Sequence, residues 1–529
     1  MMEDKVLADP ALIAKRLGMP ILDDLKGMRA AEQRYKQVPY SFASKYQVIP
    51  IQESDSGVIV AVSDPLLLAP LEDLRYLMNC PIKAAYCSKE KILEAIHICY
   101  HSEAGAASQL ISDLTDKNEE NKGDGDEEAF DLLDQGRHHS PIIRLLNLII
   151  SEAIQQSASD IHFEPSESGM RVRYRIDGVL QNRHSPAMEY QVQLLTRIKV
   201  MAKLDIAEHR LPQDGRIKLR MGRREIDFRV STVPIAGGER IVLRILDKDN
   251  IQLGFDSLGM VPSVLEKFKS LVTLPEGIIL VTGPTGSGKT TTLYSTICDL
   301  VNDEQNIMTI EDPVEYHLKG IAQIGVHHKI KLDFAAGLRH ILRQDPDIIM
   351  VGEIRDRETA DIAIQAALTG HLVLSTLHTN DAPSAITRLV DMGIEPYLLS
   401  SCIMGVLAQR LVRRICPECK EAYVPSPREL TSLGIKPEEL DNGKVYRGTG
   451  CSHCFGTGFK GRQGIYELMP INHAISKQIV SSPDAIEMRK VALNQGMLSL
   501  LGHGAILVQK GLTTSSEVLR VARGIEEKE

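Results

Sequence analysis

The stretch that decides the fold is residues 277–290, which read GIILVTGPTGSGKT. An apolar run, Gly277–Thr282, leads into a glycine-rich turn that ends at Lys289-Thr290, and residues 291–301 continue with the apolar periodicity of a helix. Strand, glycine-rich loop and helix in this order complete the Walker A pattern in the context that it requires. The stretch therefore predicts a phosphate-binding loop at the end of a buried strand in an α/β sheet.

We expect this loop to bind the phosphates of ATP. Glycines let the backbone curl so that amide groups point at phosphate oxygens, and the helix N-terminus adds a partial positive charge. Lys289 should reach the terminal phosphates, and the hydroxyl of Thr290 is a hard oxygen ligand for Mg²⁺. The other residues expected at the nucleotide are Gly283, Pro284, Thr285, Gly286, Ser287, Gly288 and Thr291.

Hydrolysis requires a carboxylate near the magnesium and another that orients the attacking water. Two acidic clusters follow apolar strands, where α/β sheets place their ligand sites. The first is residues 311–315, EDPVE, and the second ends the strand over 348–351 at Glu353. Glu353 is the best candidate for the magnesium-side carboxylate, although Gly352 stands where many nucleotide-binding proteins carry an Asp.

A third polar cluster follows the apolar strand within residues 370–380, GHLVLSTLHTN. His378 at its end is a candidate for contact with the γ-phosphate. The ordinary alternative for such a histidine is a packing or capping role.

Four of the nine cysteines form two pairs, Cys416-Pro417-Glu418-Cys419 and Cys451-Ser452-His453-Cys454. Four sulfur ligands with no open position are typical of a structural zinc site. We expect Cys416, Cys419, Cys451 and Cys454 to bind zinc, with four ordinary reduced thiols as the alternative.

A chain of 529 residues exceeds what one core usually supports, so several domains are expected. The predicted parts are an N-terminal α+β module (1–101), an acidic flexible linker (102–139), an arginine-bearing α+β domain (140–250), an α/β nucleotide-binding core (251–413), the four-cysteine element (414–456) and a C-terminal helical region (457–529).

The chain has no apolar run near the about 18 residues of a membrane helix, and it starts without the basic and apolar segments of a secretory signal. We therefore expect it in the cytoplasm, with its cysteines as thiols.

Taken in order, the Walker A loop, the acidic box 311–315, the strand before Glu353 and the histidine box 371–378 resemble the ATPases of type II secretion and type IV pilus assembly. The resemblance spans most of the chain. It implies an α/β fold in which α+β domains precede a RecA-like P-loop ATPase domain with a small zinc-binding insertion. It also implies a ring of six subunits.

In that family the residue matching Glu315 activates water, Glu311 and Asp312 support the site, and the match to Glu353 handles magnesium. The resemblance further implies that arginines of the preceding domain reach the phosphates. The matching positions are Arg210, Arg216, Arg229 and Arg240.

Residues 38–50 resemble the amino-terminal domain with which these motors dock on an inner-membrane anchor protein. Arg16-Leu17-Gly18 resembles the start of a cyclic-dinucleotide-binding motif, but its second copy is not evident and a docking role is preferred.

The four-cysteine element occurs in the secretion and pilus-assembly motors, whereas the pilus-retraction motors lack it. The leading hypothesis is a type II secretion motor peripheral to the inner membrane, with pilus assembly as the close alternative.

Two other classes of function are weaker hypotheses. A RecA-like nucleic-acid motor is disfavoured by the net charge of −9, the absence of tryptophan and the lack of a basic segment with interleaved aromatics. A non-catalytic ATP-binding scaffold is disfavoured by the acids expected around the γ-phosphate. We therefore expect no nucleic-acid partner.

Overall fold

The computed structural model describes residues 10–22, 25, 38, 42–43, 46–54, 57–78, 80–89, 91–92, 95–96, 130–131, 141–166, 169–221, 224–247 and 253–522. Of the acidic linker predicted over residues 102–139, the structure describes only residues 130–131. The chain divides into two compact units, Met1–Asp249 and Asn250–Glu529. No described helix is long and apolar enough to cross a membrane.

The first unit begins with a small three-stranded sheet. Its elements are α1 (Pro10–Arg16), β1 (Val48–Ser54), β2 (Gly57–Val62), α2 (Leu68–Met78) and β3 (Ile82–Tyr86). Strand β2 pairs antiparallel with β1 and parallel with β3, so α2 forms the crossover that parallel pairing needs. Strand β2 is the centre of this sheet, and its Val60 and Val62 are fully buried in the core.

The rest of the first unit is a seven-stranded sheet with two helices. Its elements are β4 (Phe130–Asp131), α3 (Pro141–Gln155), β5 (Ala158–Ser166), β6 (Gly169–Ile176), β7 (Val179–His184), α4 (Met188–Met201), β8 (Gln213–Met221), β9 (Arg224–Ile235) and β10 (Gly238–Asp247), in the sheet order β4-β8-β9-β10-β5-β6-β7. Alternate residues such as Phe163 and Tyr174 face a core shared with Leu145 and Leu194 of the helices. Polar residues alternate with them along each strand, which places the arginines away from the core.

The second unit is built on another seven-stranded sheet, in the order β13-β12-β14-β15-β11-β16-β19. Its strands are β11 (Gly277–Thr282), β12 (Ile307–Glu311), β13 (Ala322–Gly325), β14 (Ile348–Val351), β15 (Leu372–Leu377), β16 (Ile403–Ile415) and β19 (Phe459–Pro470). All neighbours are parallel except β16 and β19, which are antiparallel. Strands β11, β14 and β15 are buried along their whole length, as expected for a parallel sheet with helices on both faces.

The helices that accompany this sheet are α5 (Phe255–Leu258), α6 (Pro262–Val272), α7 (Lys289–Leu300), α8 (Phe334–Ile341), α9 (Arg357–Leu368), α10 (Ala382–Asp391) and α11 (Pro396–Cys402). They form two hydrophobic clusters, one on each side of the strands. In β11, for example, Leu280 belongs to one cluster, while Ile279 and Val281 belong to the other. The predicted α/β fold class is confirmed.

The four-cysteine insertion lies between β16 and β19. It contains β17 (Lys420–Tyr423), α12 (Pro427–Leu433) and β18 (Val445–Gly448), and it is followed by α13 (His473–Ser481), α14 (Ala485–Asn494), α15 (Leu500–Gln509) and α16 (Ser515–Ala522). Leu430, Leu433 and Val445 pack in one cluster with Leu507 of α15 and Val518 of α16, so the insertion is built onto the C-terminal helices.

Candidate active site

The glycine-rich loop of residues 283–288 joins β11 to α7. Gly283, Gly286 and Gly288 adopt φ values of 150°, 79° and 91°, a region that other residues rarely enter. A Cβ atom on Gly283 would also collide with the carbonyl oxygen of Gln409 in β16. The sequence of this loop is thus dictated both by its backbone conformation and by its close approach to the neighbouring strand.

Lys289 begins α7 and is buried. Its Nζ atom donates hydrogen bonds to the carbonyl oxygens of Gly283, at 2.7 Å, and Pro284, at 3.3 Å. Burial lowers the pKa of Lys289 to about 8; the charge of Arg410 adds to this effect, while that of Glu353 opposes it. The ammonium group is therefore held inside the loop, where an anionic ligand would favour its charged form.

The loop also offers polar groups that suit a phosphate ligand. The hydroxyl of Ser287 is buried and has no hydrogen-bond partner among the described residues. Thr290 and Thr291, at the start of α7, are exposed. A buried hydroxyl without a partner is costly, and phosphate oxygens at this helix N-terminus would satisfy it. The residues present therefore fit a nucleotide with its magnesium ion.

The sheet order brings the other predicted residues to the same edge. Strand β15 lies beside β11, and β14 and β12 follow it, so the carboxyl ends of these parallel strands share one edge with the loop. There the Nε2 atom of His378 lies 3.4 Å from Oε2 of Glu353. The Glu353 side chain is 15% exposed and that of His378 50% exposed. The structure thus brings Lys289, Glu353 and His378 together.

The surroundings of His378 favour its neutral form. Burial lowers its pKa below the ordinary value of 6.5, and the charge of Lys289 lowers it further, against the opposing effect of Glu353. A neutral imidazole can donate a hydrogen bond from one nitrogen and accept one at the other. His378 can therefore act as a polar contact without adding a positive charge.

Gly352 is explained by packing at the end of β14. A Cβ atom at this position would lie 3.3 Å from the carbonyl oxygen of Ile310 and 3.3 Å from the ring of Phe334. Both neighbours would have to shift to accept a side chain. The unusual glycine before Glu353 therefore reflects the close packing of β14 against β12 and α8.

The acidic box divides into a buried carboxylate and more exposed ones. Glu311 is buried and accepts hydrogen bonds from Thr309 Oγ1 at 2.6 Å, from Gln323 Nε2 at 3.1 Å and from the hydroxyl of Tyr294. Glu315 is half-buried, and Asp312 Oδ2 lies 3.6 Å from His328 Nε2 at the surface. Glu311 is thus held inside the protein, while Asp312 and Glu315 are the more exposed acids of the box.

Sequence reasoning missed two arginines at this edge. Arg355 is paired with Glu353, and the Nη2 atom of Arg410 donates to Asn380 Oδ1 at 2.9 Å. Arg410 is half-buried, and its charge reaches Lys289. The signal for Arg410 was the polar pair Gln409-Arg410, which interrupts the apolar run over residues 403–412 of β16.

The four predicted phosphate-binding arginines belong to the first unit, where two of them have acidic partners. The Nη2 atom of Arg240 lies 2.8 Å from Glu164 Oε1, and Arg210 lies 3.1 Å from Glu208. Arg216 and Arg229 face each other across β8 and β9. For Arg210 and Arg240, the predicted role at phosphates would require an exchange of these partners.

The four cysteines of the insertion come together, with all sulfur atoms within 4.8 Å of one another. The Sγ–Sγ distances are 3.8 Å for Cys416 and Cys451, 3.8 Å for Cys419 and Cys454, and 3.7 Å for Cys451 and Cys454. A tetrahedral zinc ion with bonds of about 2.3 Å separates its sulfur ligands by about 3.8 Å. The sulfur atoms are therefore arranged as a zinc ion requires.

Backbone amides stabilise these sulfurs further. The N–H groups of Cys451 and Gly458 each donate to Cys454 Sγ at 3.2 Å, and that of Gly450 donates to Cys419 Sγ at 3.3 Å. Such bonds favour the thiolate form, which is the form that binds metal.

Comparison with known proteins agrees with this geometry. Residues 135–520 match the family model described as type II/IV secretion system protein, and residues 17–106 match the MshEN domain. The type II secretion system protein E of Pseudomonas aeruginosa is 48% identical over 92% of this chain and 96% of its own. The type IV pilus assembly ATPase PilB of Myxococcus xanthus is 43% identical over 98% of this chain and 91% of its own.

Among solved structures, the ATPase DotB of Legionella pneumophila is similar with a TM-score of 0.54 and 19% identity. The similarity covers 75% of this chain and all of that one, and it supports the fold alone. The phosphate loop, the carboxylates at the strand ends and the sequence relatives agree with one another. The chain therefore belongs to the type II/IV secretion system protein family and is an ATPase of that family.

Proposed function

We propose that this chain is a cytoplasmic motor that couples ATP hydrolysis to pseudopilus assembly and protein export by a type II secretion system. The observation that carries the proposal is the meeting of Lys289, Glu353 and His378 at one edge of the sheet, beside the phosphate loop. This chain matches nearly the full length of the relative named type II secretion system protein E, and this match favours that system.

The residues of the loop bind the nucleotide in this proposal. Residues 283–288 and Thr291 surround the phosphates, and the ammonium of Lys289 exchanges its carbonyl partners for phosphate oxygens. Thr290 and Glu353 would hold magnesium, which neutralises charge on the terminal phosphates. His378 contacts the γ-phosphate as a neutral group.

Glu315 activates the water that attacks the γ-phosphorus. The water proton passes to the Glu315 carboxylate, the new P–O bond forms, and the bond to the departing ADP oxygen breaks. Asp312 supports this site from the surface. The buried hydrogen bonds of Glu311 hold the acidic segment in place. Arg210, Arg216, Arg229 and Arg240 supply positive charge to the phosphates when the arginine-bearing domain closes on the nucleotide.

Zinc is the metal of the insertion. Cys416, Cys419, Cys451 and Cys454 provide four sulfur ligands, and the distances between the sulfurs match those around a tetrahedral ion. Zinc at this closed site is structural, since it fixes the insertion against the C-terminal helices.

Six copies form the working ring, and the N-terminal domain docks on an inner-membrane anchor. The predicted docking segment over residues 38–50, which lies within the MshEN match over residues 17–106, supports the docking part of this proposal. The protein thereby becomes peripheral to the inner membrane through its anchor and platform partners.

Assembly of a type IV pilus is the second candidate function. The pilus assembly ATPase of Myxococcus xanthus matches 98% of this chain, including its N-terminal region. Deletion of the gene in its host distinguishes the two. Loss of exported proteins with normal pili would support secretion, and loss of pili with normal export would support pilus assembly.

The first experiment is ATP turnover by the full chain, with and without the cytoplasmic part of its membrane anchor. We expect stimulation by the anchor, no turnover by Lys289→Ala, and no response to single-stranded DNA. Stimulation by DNA alone would instead assign the chain to nucleic-acid handling.

A further inference from the structure

The hydroxyl group of Tyr294 joins two parts of the active site. Tyr294 lies on α7, the helix that begins with Lys289, and its side chain is fully buried. The hydroxyl donates a hydrogen bond to Glu311 Oε2 and accepts one from the backbone N–H of Glu315 at 3.4 Å. From this arrangement we infer that Tyr294 is a positioning residue, which ties the phosphate-loop helix to the acidic segment carrying Glu315.

The hydrogen-bonding capacity of a phenol fits this role. A tyrosine hydroxyl has one proton to donate and can also accept, so it can serve Glu311 and Glu315 at the same time. The pKa of Tyr294 is raised by burial and by Glu311, so the proton stays on the hydroxyl. A phenylalanine would fill the same space but could make neither bond.

Gln323 in β13 reinforces the same segment from the other side. Its Nε2 atom donates to Glu311 Oε1 at 3.1 Å and to the carbonyl oxygen of Tyr316 at 2.9 Å, and its Oε1 atom accepts from the N–H of Leu318 at 2.7 Å. The rings of Tyr316 and Tyr294 also meet edge to face, with centroids 6.1 Å apart. The segment over residues 311–318 is therefore fixed at several points on either side of Glu315.

The consequence for catalysis rests on the proposed role of Glu315. A group that activates water must be held near its productive position, and a displacement of about 1 Å can reduce the rate about a hundredfold. The bond from Tyr294 also links this position to α7, whose first residue binds the phosphates. Tyr294 thus fixes the distance between the phosphate loop and the water-activating carboxylate.

The test is the full-length Tyr294→Phe variant, which removes only the hydroxyl. We expect kcat for ATP to fall about tenfold, with KM changed less than about twofold, because the binding groups remain in place. Tyr174→Phe is the matched control. Tyr174 is also fully buried, and its hydroxyl donates to the carbonyl oxygen of Ile149 in the first unit.

A second measurement reports on position independently of turnover. In Tyr294→Phe, hydrogen–deuterium exchange should accelerate in the peptide over residues 312–318 and stay unchanged in β14 and β15. Unchanged exchange in that peptide would overturn the inference, as would faster exchange with undiminished kcat.

Glu315→Gln separates this inference from the proposed function. If Glu315→Gln keeps normal turnover, the proposed role of Glu315 is wrong, whatever Tyr294→Phe shows in exchange. If Glu315→Gln is inactive while Tyr294→Phe keeps full turnover, the positioning role of Tyr294 alone is wrong.

Discussion

His378 Nε2 lies 3.4 Å from Glu353 Oε2, although the two residues follow different strands and are 25 positions apart in the sequence. Both side chains stand at the carboxyl edge of the parallel sheet, beside the lysine of the phosphate loop. A neutral imidazole and a carboxylate at this distance form a polar pair. Both groups can contact a ligand bound at the phosphate loop.

His378→Gln should lower kcat about tenfold with little change in KM, because the proposed contact to the γ-phosphate matters most as charge develops there. His371→Gln is the control. His371 bonds to the carbonyl oxygen of Ala366 at the opposite, amino end of β15. Since burial lowers the pKa of His378 below 6.5, turnover limited by this group should decline only below about pH 6.5. Equal losses of kcat in His378→Gln and His371→Gln would show that His378 does not contact the γ-phosphate.

Lys289 should take up a proton when nucleotide binds. With its pKa lowered to about 8 by burial, about half of the free protein carries a neutral lysine at that pH, and phosphate oxygens will restore the charge. We expect uptake of about half a proton per site at pH 8, measured by calorimetry of ADP binding in buffers of different ionisation enthalpy. Lys289→Arg should show no uptake, because arginine stays charged.

Cys416→Ser should remove zinc and destabilise the C-terminal part of the second unit. The purified chain should contain about one zinc per copy by elemental analysis, and the variant should contain much less. Because the insertion shares a core with α15 and α16, its thermal unfolding should shift as well. Cys298→Ser, which changes a cysteine outside the cluster, should keep both metal and stability. Full zinc in Cys416→Ser would exclude this cysteine as a ligand.

Arg489→Met should destabilise the protein by about 3–5 kcal/mol. The guanidinium of Arg489 in α14 lies 3.3 Å from Glu467 Oε2 and 3.3 Å from Asp381 Oδ2, and Glu467 is almost completely buried. Without the arginine, a buried carboxylate is left unpaired. The double variant Arg489→Met with Glu467→Gln should recover part of this loss in denaturant unfolding. No recovery would show that the arginine acts through packing instead of charge.

The sequence predicted the parts of the site that are local in the chain. Each of these parts has the groups that its chemistry needs within a few residues. They are the phosphate loop, the acids at strand ends and the cysteine pairs. The proximity of Glu353 and His378 follows from their positions after parallel strands, which end at a common edge. The α/β class followed from the same apolar strands, which the structure confirms as β11 and β14.

The features that the sequence did not predict depend on contacts between residues that are far apart in the chain. Arg410 reaches the loop only because β16 pairs with β11, more than a hundred residues earlier. Tyr294 and Gln323 looked like ordinary helix and strand residues, and only the folded chain brings them to Glu311. The core that the insertion shares with the C-terminal helices also depends on distant residues, since Leu507 and Val518 lie beyond the second cysteine pair.

Strand β16 runs from the phosphate loop to the four-cysteine insertion. Gln409 touches the loop at Gly283, and Cys416 follows the last residue of the strand, while β19 returns alongside it from the second cysteine pair. At about 3.4 Å per residue, the two points are about 24 Å apart. A tilt of about 5° at Gln409 would move the far end by about 2 Å if the paired strands behave as a rigid lever. A small nucleotide-dependent movement at the phosphate loop would then become a larger movement at the four-cysteine insertion.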